Sequence, residues 1–197
     1  MEEASKHLMF IVIDGLDASG KSTQALRLYN LLRTKRKTVY LRIHPSKDNF
    51  LGVKAKQFLY LKGKSAHLAA ALFYMLDVIR SILLYSWRKY EYIIFVRYLM
   101  GTAYLPSPLD RIAYHFFACI VPTSNFMFFL DVHPEEADRR IRQTRSKMEM
   151  FESLEELKRV RRKALSLAST DKWRILNASK SREDIEKEIT KALQLLF

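Results

Sequence analysis

The chain has a single cysteine, Cys119, in 197 residues, so no disulfide can form within it and a reducing compartment, the cytoplasm, is the expected setting. Glycine and proline are scarce, with five of each, and no stretch is enriched in Gly, Ser or Pro. That excludes collagen-like repeats, low-complexity tails and flexible linkers. No internal repeat is visible. No apolar run is expected to reach the roughly 20 residues of a membrane span. The segment Met1–His7 is polar and carries Glu2 and Glu3, unlike a secretion signal. The greasiest stretch, Leu68–Leu76, is expected to be buried helix. His44, His67, His115 and His133 show no metal-ligand spacing, and the Asn-Lys-x-Asp guanine signature is missing.

Hydrophobic residues make up 49% of the chain, enough for a sizeable core, and one domain spanning residues 1–197 is expected. Charge is lopsided: 34 Lys and Arg against 21 Asp and Glu give +13. The basic residues are scattered, denser at Arg33–Lys37, Arg139–Arg145 and Arg159–Lys163. No aromatic residues interleave with them as in a single-strand nucleic-acid groove. Arg33–Lys37 reads as a solvated face. The charge by itself suits either nucleic acid or small polyanions such as nucleotides, and the scattered placement without interleaved aromatics favours the nucleotides over a nucleic-acid partner.

Short apolar runs at Phe10–Ile13, Thr38–Ile43, Ile93–Val96, Phe126–Leu130 and Trp173–Leu176 read as strands. Helical patterns fall between them, at Lys21–Thr34, about Ala66–Arg88, from Pro134, Leu154–Ala168 and Arg182–Leu196. Nearly all-apolar strands alternating with helices predict an α/β fold, with a parallel sheet covered on both faces. Its ligand site would lie at the carboxyl ends of the strands.

Directly after the first run stands Gly15-Leu16-Asp17-Ala18-Ser19-Gly20-Lys21-Ser22, which satisfies Gly-x4-Gly-Lys-Ser/Thr, followed by Thr23. Glycines permit the dihedrals that turn backbone amides around phosphate oxygens. The helix opening at Lys21 directs its positive end at the anion. The Lys21 ammonium can reach β- and γ-phosphates, and the Ser22 hydroxyl can ligate Mg²⁺. A strand before and a helix after supply the expected context. The loop indicates ATP without naming a reaction, and a short chain lacking the guanine signature leaves small-molecule kinases as the leading class.

Phe10-Ile-Val-Ile-Asp-Gly-Leu-Asp-Ala-Ser-Gly-Lys-Ser-Thr-Gln24 closely resembles the opening of thymidylate kinases, including the acid Asp17 within the loop. The resemblance continues at Leu41-Arg42 with Pro45, Leu72-Phe73-Tyr74, Arg97-Tyr98 with Ala103-Tyr104, Pro122, Leu130-Asp131-Val132, Val160-Arg161 and Ile175–Ala178. It implies a P-loop three-layer sandwich with a five-stranded parallel sheet, in a divergent member of archaeal or bacterial type. Such an enzyme is usually a homodimer and makes dTDP from dTMP with ATP and Mg²⁺. By the same resemblance Arg97 bridges donor and acceptor phosphates, Arg42 holds the acceptor phosphate, and Phe73, beside Tyr74, stacks on the base. Asp17 approaches the acceptor sugar, near Tyr104. A mobile lid over about residues 139–152 carries Arg139, Arg140, Arg142 and Arg145, with Arg142 or Arg145 serving the transfer.

Four positions depart from the family pattern. Val96 replaces the acid before Arg-Tyr, Asp77 or Val78 stands where an arginine would meet thymine, and Gly101 and Leu105 replace Ser and Gln. Asp77 would suit a base presenting amino donors, such as guanine or cytosine, while Arg80, one turn on, could restore the thymine contact. Asp14, Asp17 and Asp131 remain as carboxylates near strand ends. A related kinase for another monophosphate, or a non-catalytic nucleotide-binding protein, are the alternative readings.

Overall fold

A computed structural model describes residues 8–61, 63–85, 90–144 and 153–193. Five parallel strands form one sheet in the order β2-β3-β1-β4-β5: β1 Met9–Gly15, β2 Val39–Ile43, β3 Tyr92–Val96, β4 Phe126–Asp131 and β5 Trp173–Asn177. Helices occupy the crossovers, α1 Lys21–Thr34, α2 Phe50–Phe58, α3 Lys64–Tyr85, α4 Leu109–Ile120, α5 Pro134–Thr144 and α6 Leu154–Ser169, and α7 Arg182–Ala192 follows the last strand. A 3-10 helix, Leu99–Tyr104, leads into α4.

The central strands carry the core. Ile11, Val12, Ile13, Ile94, Val96 and Met127–Leu130 have no exposed surface, as expected for strands covered on both faces. The edge strands β2 and β5 are partly exposed and more polar. Caps set several helix starts. Asn49 Oδ1 accepts from Gly52 N at 3.1 Å, and Ser181 Oγ accepts from Asp184 N at 3.1 Å, ahead of a first turn rich in acids.

Register brings the chemistry to one edge. Ile13 of β1 pairs with Val96 of β3 and with Phe128 of β4, so Asp14 and Gly15, Arg97, and Asp131 all emerge at the carboxyl ends. Strand order reverses around β1, which opens a crevice there.

Two sequence expectations fail at α3. Leu68, Leu72 and Leu76 are 59%, 51% and 40% exposed, not buried. Ser65–Tyr85 is also long and apolar enough, at mean hydropathy 1.7, to cross a membrane by length and composition alone. Only its small and polar residues, Ala66, Ala70, Asp77, Val78 and Ser81, turn fully inward. The leucines form a separate outward stripe. α2, the 3-10 helix and α4 had no counterpart in the sequence reading.

Candidate functional site

The loop between β1 and α1 is shaped by three positive φ angles: Gly15 at +146°, Ala18 at +57° and Gly20 at +92°. A Cβ on Gly15 would overlap the Leu130 carbonyl, so only glycine lets the loop lie against β4. Gly20 caps α1 with no side-chain hydrogen bond, and a Cβ there would enter open space. The first amides of α1 thus face a cavity, an arrangement that attracts phosphate. Lys21, 4% exposed, donates its ammonium to the carbonyls of Gly15 (2.9 Å) and Leu16, while Ser22 and Thr23 lie exposed.

Two cavities meet at this loop. The basic cavity is lined by residues 18–24, by Arg139 and Arg140 of α5, and by Ala178, Lys180 and Arg182 after β5. Among the described residues its lining holds six cations (Lys21, Arg97, Arg139, Arg140, Lys180 and Arg182) against one carboxylate, Glu136. Hydrogen bonds from Arg139 and then Arg140 hold the Glu136 carboxyl down at about 2. Arg140 also donates to the carbonyls of Ala18 (3.2 Å) and Ala178 (3.4 Å), tying the loop to the turn after β5. Polyphosphate fits such a lining.

The apolar cavity is walled by Pro45, Leu59, Ala70, Ala71, Tyr74 and Leu105, with His67 on the first turn of α3. Asp14, Asp17, Arg97 and Tyr104 supply its charged and polar boundary. The Arg97 guanidinium donates to the Asp17 carboxylate, and the Tyr104 hydroxyl donates to Asp17 Oδ2 at 3.1 Å. Asp14, 2% exposed, accepts from Gly15 N (2.9 Å), Tyr98 N (2.8 Å) and Met100 N (3.2 Å). Burial pushes its carboxyl upward, against those amides and the Lys21 charge. Burial likewise raises the Tyr74 and Tyr104 hydroxyls well above their ordinary value. Among the described residues, Arg97 alone lines both cavities. Its backbone is left-handed, φ +60°, which is uncommon outside glycine.

The structure gathers Gly15, Asp17, Ala18, Ser19, Gly20, Lys21, Ser22, Thr23, Tyr74, Arg97 and Tyr104 around these cavities; Leu16 is buried beneath the loop at 1% exposure. Others go elsewhere. Phe73 packs on α2, stacked on Phe58 at 5.6 Å and edge-on to Phe50 at 6.1 Å, and the cavity aromatic is Tyr74. The reason is helical phase: Ala66, Ala70, Tyr74, Asp77 and Ser81 share one face, and Phe73 is rotated about 100° from Tyr74.

Asp77 has no exposed surface and does not line the cavity. It accepts from Ser46 N at 2.7 Å and Asn49 Nδ2 at 2.9 Å, anchoring the loop after β2. Arg42 is bound bidentately by Asp48 at 2.7 and 2.8 Å and donates to Ser81 Oγ at 3.2 Å, outside either cavity lining. Arg80 lines neither cavity. Arg142 pairs with Asp138 at 2.8 Å on an exposed face of α5, so Arg139 and Arg140 are the α5 arginines at the basic cavity. Asp131 is committed to Arg161 at 2.7 and 2.8 Å. Arg145 and the rest of the expected lid to residue 152 lie outside the described residues. Sequence reasoning missed His67, Lys180 and Arg182; none sits in a motif, and only the tertiary fold brings them in.

Comparison with known proteins agrees with this architecture. The thymidylate kinase family model matches residues 13–189. A probable thymidylate kinase of Metallosphaera sedula is 31% identical over 170 residues, covering 86% of this chain and 84% of its own. One from Methanosarcina barkeri is 31% identical over 201 residues, with 93% and 94% covered. The thymidylate kinase of Plasmodium falciparum is 26% identical over 203 residues, with 97% and 92% covered. The solved structure of Candida albicans thymidylate kinase superimposes with a TM-score of 0.75 at 19% identity, covering 95% of this chain and 92% of that one, and so shares the fold.

Proposed function

This chain belongs to the thymidylate kinase family, and we propose that it transfers the γ-phosphoryl group of ATP to the phosphate of dTMP, giving dTDP and ADP. The observation that carries this reading is the place of Arg97, the one residue among those described that lines both the basic and the apolar cavity. ATP would lie in the basic cavity, with its β- and γ-phosphates on the loop amides and Lys21. The monophosphate would lie in the apolar cavity, its base among Pro45, Leu59, Tyr74 and Leu105, its sugar toward Asp17 and Tyr104.

An acceptor phosphate oxygen forms a bond to the γ-phosphorus as the bond from that phosphorus to the β–γ bridging oxygen breaks, and ADP leaves with the electron pair. The acceptor is already an anion, so no strong base is needed. Alignment and charge neutralisation carry the catalysis. Arg97, held by Asp17, stands where negative charge from both nucleotides meets, and Lys21 would exchange loop carbonyls for phosphate. Mg²⁺ fits the Ser22 hydroxyl, exposed beside the loop; no cluster of three acidic, His or Cys side chains exists among the described residues, and Mg²⁺ in such sites takes few protein ligands. When bound it would neutralise charge across the β- and γ-phosphates.

Asp77 is occupied by the loop after β2, so nothing supports a base chosen through its carboxylate. Val78, 1% exposed, cannot supply the missing arginine contact. The apolar walls suit a thymine methyl.

The same reading makes the chain a cytoplasmic, one-domain kinase that pairs with a second copy. Leu68, Leu72 and Leu76 of α3 form one exposed apolar row, and Ile112, Phe116 and Ile120 of α4 another. Ala71, Tyr74 and Met75 of α3 share a small cavity with Phe117 of α4 and with Gly101 and Thr102 of the 3-10 helix, which packs against both helices. Neither row carries a charge, which lets two chains of net charge +13 approach there.

An assay for ADP release with ATP, Mg²⁺ and dTMP, dUMP, dCMP, CMP or dGMP tests the activity. dTMP should be among the best acceptors, and Lys21→Ala should lose most of the rate. A preference for a purine monophosphate would overturn the choice of substrate.

A further inference from the structure

Arg97 holds a left-handed backbone while its guanidinium donates to Asp17, and a non-glycine residue holds that conformation only when its surroundings impose it. Three contacts do so. The Arg97 N–H donates to Ile13 O at 3.2 Å. The two amides beyond it, at Tyr98 and Met100, are gathered by Asp14. Its carbonyl lies 3.1 Å from His44 Nδ1.

His44 is built for that contact. Its backbone N–H donates to Val96 O at 3.0 Å, fixing the residue where β2 ends beside β3. The ring has no exposed surface and meets Phe95 edge-on at 5.1 Å. Nε2 stands 3.0 Å from Ser81 Oγ, and Arg42 Nε donates to that same oxygen at 3.2 Å. A carbonyl can only accept, so Nδ1 carries the proton, and the one Ser81 hydroxyl proton is shared between His44 Nε2 and the Asp77 carbonyl, which lies 2.9 Å from Oγ. Burial lowers the ring to about 4, so this neutral tautomer persists through physiological pH. The buried network of Arg42, Asp77 and Ser81 ends on the peptide of Arg97.

We propose that His44 is a positioning residue for phosphoryl transfer, its Nδ1–H holding the Arg97 carbonyl so that the guanidinium stays aimed at the junction of the two cavities. The inference rests on the kinase reading above. Misplacing a charged group by about 1 Å in such a site costs up to about 100-fold in rate, whereas ATP binding on the loop amides would be untouched.

Three variants separate positioning from packing. His44→Phe keeps the ring and removes both nitrogens. His44→Asn places an N–H near the Nδ1 position, and His44→Gln places one near the Nε2 position. The assay measures kcat and KM for dTMP, binding of a non-hydrolysable ATP analogue, and Tm. His44→Phe should lower kcat by about 10- to 100-fold and leave analogue affinity within about twofold. His44→Asn should recover most of that loss, and His44→Gln should not. The inference is overturned if His44→Phe keeps wild-type kcat, or if Asn and Gln variants lose activity equally and in step with Tm. Should His44→Phe fail to fold, the Asn and Gln pair alone decides by the same criterion. A wild-type chain inert toward every monophosphate would overturn the kinase reading and this inference with it; an active wild type with an indifferent His44→Phe overturns this inference alone.

Discussion

The ring of Tyr74 occupies the space that a side chain at Gly101 would need: a Cβ there would stand 2.5 Å from Tyr74 Cε1 and 2.9 Å from Cζ. The two residues are matched, since Tyr74 also donates its hydroxyl to Tyr98 O at 3.3 Å and cannot easily swing away. Gly101→Ala should therefore push Tyr74 into the apolar cavity. KM for the monophosphate should rise several-fold, ATP affinity should hold, and Tm should report a loss of about 1–3 kcal/mol from overpacking. Steady-state kinetics with each nucleotide varied in turn check this.

Phe73 and Tyr74 are neighbours with opposite expected phenotypes. Phe73→Ala removes a ring packed between α2 and α3 and should cost about 1–3 kcal/mol in urea unfolding, somewhat below the range for a fully buried ring, with kcat/KM nearly unchanged. Tyr74→Ala should raise KM for dTMP at least tenfold. The reverse pattern would restore Phe73 as the residue at the base.

Acid should weaken the fold through His44. Its folded value, about 4, lies below the ordinary 6.5, so the unfolded chain binds the proton first. Stability from this group is complete above pH 6.5 and is lost progressively as pH falls toward 4, by up to about 3 kcal/mol. Urea unfolding at pH 7.5 and 4.5 should show a steeper acid loss in the wild type than in His44→Asn.

The apolar rows on α3 and α4 give a test of assembly. Phe116 is 59% exposed, so Phe116→Glu should leave the monomer's fold intact. Sedimentation should show a dimer for the wild type and a monomer for the variant; two monomers would contradict the proposed pairing.

What could be read from the sequence was what is local. The phosphate loop is eight consecutive residues whose roles follow from backbone conformation, and β1, β3 and β4 are apolar runs because both faces are covered. The apolar cavity was harder to read, since its walls come from Pro45, α2, α3 and the 3-10 helix, which meet only in the folded chain. Phe73 and Tyr74 look equivalent in sequence, and only the helical phase set by Ala70 and Ser81 separates them. Asp77 and Arg42 read as binding groups, yet each was already paired through the loop carrying Ser46, Asp48 and Asn49. Val96, which stands in place of the family's acid, is wholly buried, and Asp17 supplies the carboxylate that holds Arg97.

The meeting of the two cavities at Arg97 is tested most directly by calorimetric titration with one molecule that spans them, adenosine and thymidine joined through five phosphates. If the cavities form one transfer site, this ligand should bind at least 100-fold more tightly than ATP or dTMP alone, and Arg97→Ala should remove most of that gain. Affinity no better than that of ATP would show that the cavities do not act together.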